Sequence, residues 1–284
     1  MADPTATPGD RSGEPPLVVY FHGAPGSPRE IGLIVGAARQ CGISPISLHR
    51  ARIAPGLTGA AYFDLLAMEL RTRAAGRQVD VIGFSIGAFV ALEVCRRLGH
   101  QVRGVDLIAP AGPLELMETL DDVAGAAVFG LARRAPWLFR TASRLQGLLA
   151  VVRPDLLMSM LFAKAAGDDR DLAKDRTFKT LLGSVLRDAL GHGLAGYVRD
   201  VEAYVRPWAE ALDEVRAPVR IWQGALDNWA PPRMVKTLAE RLVAAEPVSF
   251  LPGRSHYSAL IAAAPDIFRR LSASAASNPT VGGD

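Results

Sequence analysis

The stretch from Val79 to Cys95, Val-Asp-Val-Ile-Gly-Phe-Ser-Ile-Gly-Ala-Phe-Val-Ala-Leu-Glu-Val-Cys, leaves the chain the least freedom. Its β-branched start, Val79 to Ile82, reads as a strand, and the apolar segment after Gly87, closed by Gly99, reads as a helix. Between them stand Gly83, Phe84, Ser85, Ile86 and Gly87. A turn from strand straight into helix is too sharp for a Cβ at every position, so glycines on both sides of the serine let the two elements approach. Ser85 is then held strained, its hydroxyl at the tip and a helix N-terminus behind it. A bare G-x-S-x-G occurs by chance in surface loops. The strand before and the helix after make this one a nucleophile elbow.

A serine hydroxyl is a weak nucleophile at neutral pH. It needs a base, a group that orients the base, and donors for the oxyanion that forms. In open α/β sheets such groups lie beyond the carboxyl ends of the strands, so the strands of the chain must be found first. Residues 1–16 are polar and proline-rich and read as a disordered leader. Leu17–Phe21 reads as a strand buried on both faces, followed by the turn-rich loop His22–Ser27. Ile31–Cys41 reads as a helix, Ile43–Leu48 as a second strand and Tyr62–Ala75 as a helix. After the elbow, Val102–Ile108 is another strand, and this alternation implies a parallel α/β sheet with right-handed crossovers.

From Leu114 to about Trp208 only amphipathic helical stretches follow, too long for one ordinary crossover, so residues 113–208 read as an inserted helical cap. The sheet pattern resumes at Pro218–Trp222 and Val248–Leu251, with helices from Pro231 to Val243 and from His256 to about Leu271. The core is thus expected in residues 17–112 and 209–272, with a flexible tail in 273–284. The expected fold is α/β, a mostly parallel doubly wound sheet of about six to eight strands with helices on both faces and an inserted helical cap.

Three loops after strands carry candidates. His256, after the last strand, is the base, because the order Ser, Asp, His goes with this kind of elbow. Position alone does not exclude His22 or His49, also at strand ends, whereas His100 and His192 fall elsewhere. Asp227 is the orienting acid, the one carboxylate between its strand and the next helix; it or Asn228 could also cap that helix, and both roles can coexist. The oxyanion donors are the N–H of Ile86, at the helix start, and that of Ala24, in the loop after the first strand. His22 reads as a structural hydrogen-bonder of that loop. No cofactor and no metal ligand set is indicated.

His22-Gly-x-Pro25-Gly26, Gly83-x-Ser85-x-Gly87, Asp227 and His256 together resemble the α/β-hydrolase superfamily, over about Leu17 to Leu271. The His-Gly-x-Pro-Gly-Ser loop and the helical insertion are similar to the capped serine esterase, proline iminopeptidase and haloperoxidase-like branch. The resemblance implies Ser85 as nucleophile, His256 as base, Asp227 as orienting acid, and the Ala24 and Ile86 amides as the oxyanion hole. Two departures stand out. Relatives begin with a hairpin of two extra strands, for which the leader here is short, and their Asp-Arg-x-Gly turn is replaced by His49-Arg50-Ala51-Arg52. A serine at the elbow, not an aspartate, disfavours chemistry on haloalkanes or epoxides.

The expected activity is therefore a serine hydrolase cleaving a carboxylic ester, thioester or lactone. The alternatives are an aminopeptidase, for which the cap offers Glu115, Glu118, Asp121, Asp122 and Glu202, and a small-molecule receptor on the same fold. Phe129, Trp137, Leu138, Phe139, Leu156, Met158, Met160 and Phe162 suit an apolar substrate, although packing among the cap helices is their first use. The 284 residues, 49% hydrophobic and 21% charged, are an ordinary globular balance. No secretory signal is evident, no apolar run approaches the roughly 18 residues of a membrane helix, and Cys41 and Cys95 make no disulfide framework, so a cytoplasmic location is expected. The net charge of +3 comes from scattered arginines, which argues against nucleic acid. Arg133, Arg134, Arg140, Arg144 and Arg153 form a local cluster among apolar residues, an amphipathic basic pattern for which a solvated face is the first reading and an anionic membrane or acidic substrate the second. The expected partner is a small-molecule substrate, without nucleic acid and without stable membrane insertion; a homodimer stays open.

Overall fold

The computed structural model describes residues 14–120 and 123–276. The expected leader up to residue 13, Asp121, Asp122 and the tail from 277 lie outside the described residues.

Strand β1 (Leu17–Phe21) is followed by a 3-10 segment (Pro28–Leu33) and helix α1 (Val35–Gln40). Next come α2 (Gly59–Ala74), β2 (Val79–Phe84), α3 (Ile86–Leu98) and β3 (Val102–Ile108). After the inserted helices the core continues with β4 (Val219–Gly224), α10 (Pro232–Arg241), β5 (Ser249–Leu251) and α11 (His256–Ala276). The strands form one sheet in the order β1-β2-β3-β4-β5, every pair parallel. All residues of β1 and β2 are buried, which is why these strands are apolar without alternation. Helix α2 packs on α3 and α1 on α11, covering the two faces of the sheet.

Among the described residues the sheet has five strands, fewer than the six to eight expected. The segment Ile43–Leu48 contributes one bridge, Ile46 to Val19, flanked by hydrogen bonds from Tyr20 N–H to Ile46 O and from Ile46 N–H to Val18 O. On either side the backbone bonds elsewhere, Ile43 N–H to Ala38 O and Leu48 O from Arg50 N–H, so the pairing stays a single bridge. The bridge still sets the topology. The chain leaves β1 for the edge at Ile46 and returns on the opposite side of β1 as β2, so the crossovers diverge between β1 and β2, the place where open α/β sheets bind ligands.

Between β3 and β4 the described residues hold no strand. They run through α4 (Ala126–Arg134), α5 (Pro136–Val152), α6 (Pro154–Leu161), α7 (Asp169–Leu172), α8 (Arg176–Leu186), a π-helical turn (Arg187–His192) and α9 (Leu194–Tyr204). The helix expected over Leu114–Leu131 is a 3-10 turn at Leu114–Leu116 and, after a gap, α4. At the other end α11 runs to Ala276, so residues 273–276, expected in the flexible tail, are helical.

Candidate active site

The elbow is built by exclusion of volume. A Cβ on Gly83 would lie 2.8 Å from Ala88 Cα, and one on Gly87 would run into the carbonyl oxygens of Phe21 and His22. Ser85 between them has φ 54° and ψ −130°, a left-handed φ that costs an L-residue roughly 1–3 kcal/mol. The surroundings hold it there. Its N–H donates to Ile108 O at 3.1 Å, and its carbonyl accepts from Ala88 N–H at 3.0 Å and Ala111 N–H at 3.1 Å. The turn is thereby tied to the end of β3 and to the first turn of α3.

Register brings the second loop alongside. Phe21 pairs with Gly83, so the residues just after β1 lie against those just after β2. Among the described residues neither Ala24 N–H nor Ile86 N–H has a backbone acceptor, and both residues line the same cavity as Ser85. The loop is fixed from beneath by two buried ionisable groups, Glu30, which the sequence did not mark, and Arg50 of the departing basic turn. Glu30 Oε2 accepts from Gly23 N–H and from Tyr20 Oη–H, both at 2.8 Å. Arg50 Nη2 donates to His22 O at 2.8 Å and to Gly23 O at 3.2 Å, and it lies 2.8 Å from His22 Nδ1.

His22 Nδ1 is also 2.9 Å from Gly23 O, a contact that would need a proton on that nitrogen. Arginine can only donate, so Nδ1 is the acceptor and both oxygen and nitrogen share the guanidinium. Burial, then the Arg50 charge, push His22 well below its ordinary range. Arg50 in turn pairs with Asp200 of α9 at 3.3 Å, and Asp200 accepts from Tyr62 Oη–H at 2.8 Å. Arg199 adds a hydrogen bond to Arg50 O at 2.6 Å and stacks its guanidinium 4.1 Å from the Tyr62 ring centroid. Arg50, in the basic turn His49–Arg52, is thus a buried tie between the loop after β1 and the inserted helices.

Of the five histidines, His49, His100 and His192 are exposed, while His22 and His256 are buried. His256 is the one with a carboxylate. Its Nδ1 lies 2.8 Å from Asp227 Oδ2. Asp227 Oδ1 accepts from Trp229 N–H at 2.8 Å and Ala230 N–H at 3.1 Å, so the same side chain shapes the turn before α10 and faces the imidazole. Burial alone would lower His256, but Asp227, with Asp169 and Glu30 beyond it, outweighs burial and holds the imidazole above its ordinary 6.5. Trp229 stacks on the ring (centroids 5.3 Å, planes 14° apart), and Phe84 packs on it at 4.8 Å. Phe84 is the neighbour of Ser85 in the chain. Among the described residues the Ser85 hydroxyl makes no hydrogen bond to His256; such bonds tighten when substrate binds.

The loops bearing Asp227 and His256 are zipped by hydrogen bonds from Ala225 N–H to Leu251 O and from Leu226 N–H to Arg254 O. A clamp comes from α7. Buried Asp169 accepts from Tyr257 N–H at 3.0 Å and Ser258 N–H at 2.7 Å, capping the helix that His256 begins.

Above Ser85 lies a cavity of about 200 Å³. Its walls include Val128, Phe129, Leu157, Leu161, Val201 and Met234, and among the described residues no lining side chain is acidic or basic. Gln146, Tyr197 and Trp229 bring polar atoms to it. Among the described residues no group of three or more His, Cys, Asp or Glu side chains is placed to hold a metal ion.

The eight apolar cap residues divide. Phe139, Met158 and Phe162 are buried and Phe129 is partly so, but Trp137, Leu138, Leu156 and Met160 are exposed, Trp137 at 70%. With Leu145, Leu148, Val151 and Val152 they make an uncovered apolar face on α5 and α6.

A family model described as lipid-droplet associated hydrolase matches residues 62–254, more than half of the chain. That span contains Ser85, Ile86 and Asp227; Ala24 and His256 lie outside it. Among curated protein sequences none matches. Solved structures with the same fold include a bromoperoxidase from Bacillus anthracis, 17% identical, with TM-score 0.66 over 91% of this chain and 92% of that one. An enol-lactonase from Burkholderia xenovorans LB400 is 14% identical, with TM-score 0.61 over 95% and 94%. A thermophilic esterase from Thermogutta terrifontis is 15% identical, with TM-score 0.61 over 92% and 88%.

Proposed function

The chain belongs to the lipid-droplet associated hydrolase family, and from that premise we propose that this hydrolase cleaves acyl esters through an acyl-enzyme on Ser85. The observation that carries the reading is Ser85 itself, held at φ 54° in the lining of an apolar cavity that Ala24 and Ile86, whose N–H groups have no backbone acceptor among the described residues, also line. Strain of this kind persists where function uses it.

In the mechanism, Ser85 Oγ attacks the substrate carbonyl carbon and passes its proton to His256 Nε2. Asp227 stabilises the imidazolium that results. The tetrahedral oxyanion is met by Ala24 N–H and Ile86 N–H, the latter strengthened by the α3 dipole. His256 then protonates the departing alcohol, and a water activated by the same imidazole releases the acid. An aminopeptidase would need a carboxylate for the substrate ammonium, and among the described residues the cavity lining has none. Labelling with a fluorophosphonate tests the assignment: the adduct is expected on Ser85, and Ser85→Ala is expected to lose at least about 10³-fold in p-nitrophenyl butyrate turnover. Wild-type turnover by Ser85→Ala would end the proposal.

The family's name and the α5–α6 face together support a lipid surface as the place of reaction. Arg133, Arg134, Arg144 and Arg153 border that face, exposed and without an ion pair among the described residues. Met160, 62% exposed, also lines the cavity, so the mouth opens within the patch. A basic rim around an apolar face suits an anionic phospholipid surface, bound peripherally. Co-sedimentation with phosphatidylserine-containing liposomes is expected at low salt and is expected to fall in Trp137→Glu/Leu148→Glu. Absence of binding by the wild type would remove this part of the proposal and leave the chemistry standing.

A further inference from the structure

The cavity above Ser85 is apolar except for a few atoms, and the side chains of two lining residues make no hydrogen bond among the described residues. Tyr197, on α9, is buried to 8% exposure, lines the cavity, and its hydroxyl makes no hydrogen bond among the described residues. Tyr204, at the end of the same helix and in the same lining, shows the ordinary arrangement: its hydroxyl donates to Gly112 O at 2.8 Å. Burial alone pushes the Tyr197 phenol up, so it remains a neutral donor and acceptor at any working pH. Gln146, on the facing helix α5, also lines the cavity, and its carboxamide likewise has no partner among the described residues. Helices α5 and α9 are in contact, with Phe139 of α5 packed against the Tyr197 ring at 5.9 Å.

A ligand that fills the cavity and does not hydrogen-bond these two side chains leaves them unpaired, at a cost in free energy. A phenol and a carboxamide each donate and accept. The group that satisfies both at once is one that also donates and accepts: a hydroxyl. We infer that Gln146 and Tyr197 form a polar reader in the cap side of the cavity and select esters that carry a free hydroxyl in addition to the scissile ester.

The inference deepens the proposed ester hydrolysis and rests on it. Sites that hydrogen-bond a substrate hydroxyl reject the analogue lacking it more strongly than apolar pockets reject a methylene, because their own polar groups are left unpaired. Two such groups correspond to a preference of about ten- to a hundredfold.

The test compares propyl butyrate, glycerol monobutyrate and propyl 3-hydroxybutyrate, which add hydroxyls to the alcohol side or to the acyl side. The wild type is expected to show a kcat/KM at least about tenfold higher for one hydroxylated ester than for propyl butyrate. Gln146→Leu and Tyr197→Phe, both close to the original volume, are each expected to bring that ratio most of the way to one. A wild type that favours propyl butyrate over both, or variants that change all three esters alike, would overturn the inference. Calorimetric binding of the same three esters to Ser85→Ala reads the preference without turnover, so failure of the chemistry and failure of the reader are separate results. Equal binding of all three to that variant also overturns the reader.

Discussion

The guanidinium of Arg50 lies 2.8 Å from Nδ1 of His22, and this contact separates the two buried histidines. An arginine can only donate, so His22 must keep its lone pair at Nδ1 and stay neutral, while His256 presents Nδ1 to a carboxylate. Burial and Arg50 push the first imidazole down, while Asp227 outweighs burial and holds the second up. Arg50 also neutralises Asp200. Arg50→Met is therefore expected to destabilise the fold by about 3–5 kcal/mol, the cost of stranding a buried charge, and Asp200→Asn in the same chain is expected to recover part of it. Urea unfolding of the two variants measures both. An effect under about 0.5 kcal/mol for Arg50→Met would mean that the tie is of no consequence.

The pH profile should follow His256. A base must be neutral to accept the serine proton, and Asp227 holds this imidazole above 6.5, so kcat/KM is expected to rise through an acid limb centred above that value. Asp227→Asn removes the carboxylate that opposes burial. The limb should then move to lower pH, and activity should drop by roughly 10⁴-fold. Stability moves oppositely to activity: the raised folded pKa contributes stability in full below the unfolded 6.5, lost as pH rises through the folded value. An acid limb that does not move in Asp227→Asn would show that another group titrates.

Glu30 predicts a second pH effect of its own. Burial raises its carboxyl from 4.5 to about 7, against the lowering by Gly23 N–H, the Tyr20 hydroxyl, Arg50 and His256. Oε1 has no partner, which suits a protonated acid. Between about 4.5 and 7 the folded state holds a proton that the unfolded state has given up, so stability falls as pH rises across that window. Glu30→Gln keeps an acceptor for Gly23 and removes the titration. Relative to the wild type it is expected to gain on the order of 3 kcal/mol between pH 4.5 and 8. Parallel stability curves for the two proteins over that range would refute this.

The strain at Ser85 can be read separately from its chemistry. Glycine adopts φ 54° without penalty. Ser85→Gly should therefore be more stable than the wild type by about 1 kcal/mol while lacking turnover. Thermal unfolding next to an ester assay decides it, and loss of stability in Ser85→Gly would mean that the backbone there is relaxed.

What could be read from the sequence was local. Gly83, Ser85 and Gly87 sit within five positions, and the glycines carry the geometry of the turn in their lack of a Cβ. Asp227 and His256 follow strands whose apolar runs mark them, and the structure joins the two side chains directly. Ile43–Leu48 has the apolar run of a strand, but its flanks bond to Ala38 and to Arg50, partners that the apolar pattern does not show. Arg50, Glu30, Asp169 and Asp200 were not legible. In sequence a buried charge looks like a surface charge, and what distinguishes it is a partner far along the chain, as Asp200 is for Arg50. The uncovered face of α5 was hidden for the converse reason. Periodicity shows that Trp137 and Leu148 share a helix with polar residues, but not whether another helix covers them.

The hydrogen bonds from Tyr257 and Ser258 to Asp169 bear on how this protein can be re-engineered. Exchanging the helical insertion for that of a relative is the obvious route to a new specificity, with the core kept as an interchangeable chassis. Here the carboxylate that seats the helix of His256 belongs to the part being exchanged. A graft that brings a new pocket without an acid at this position would loosen the imidazole along with the lid, and the loss would be mistaken for poor substrate fit.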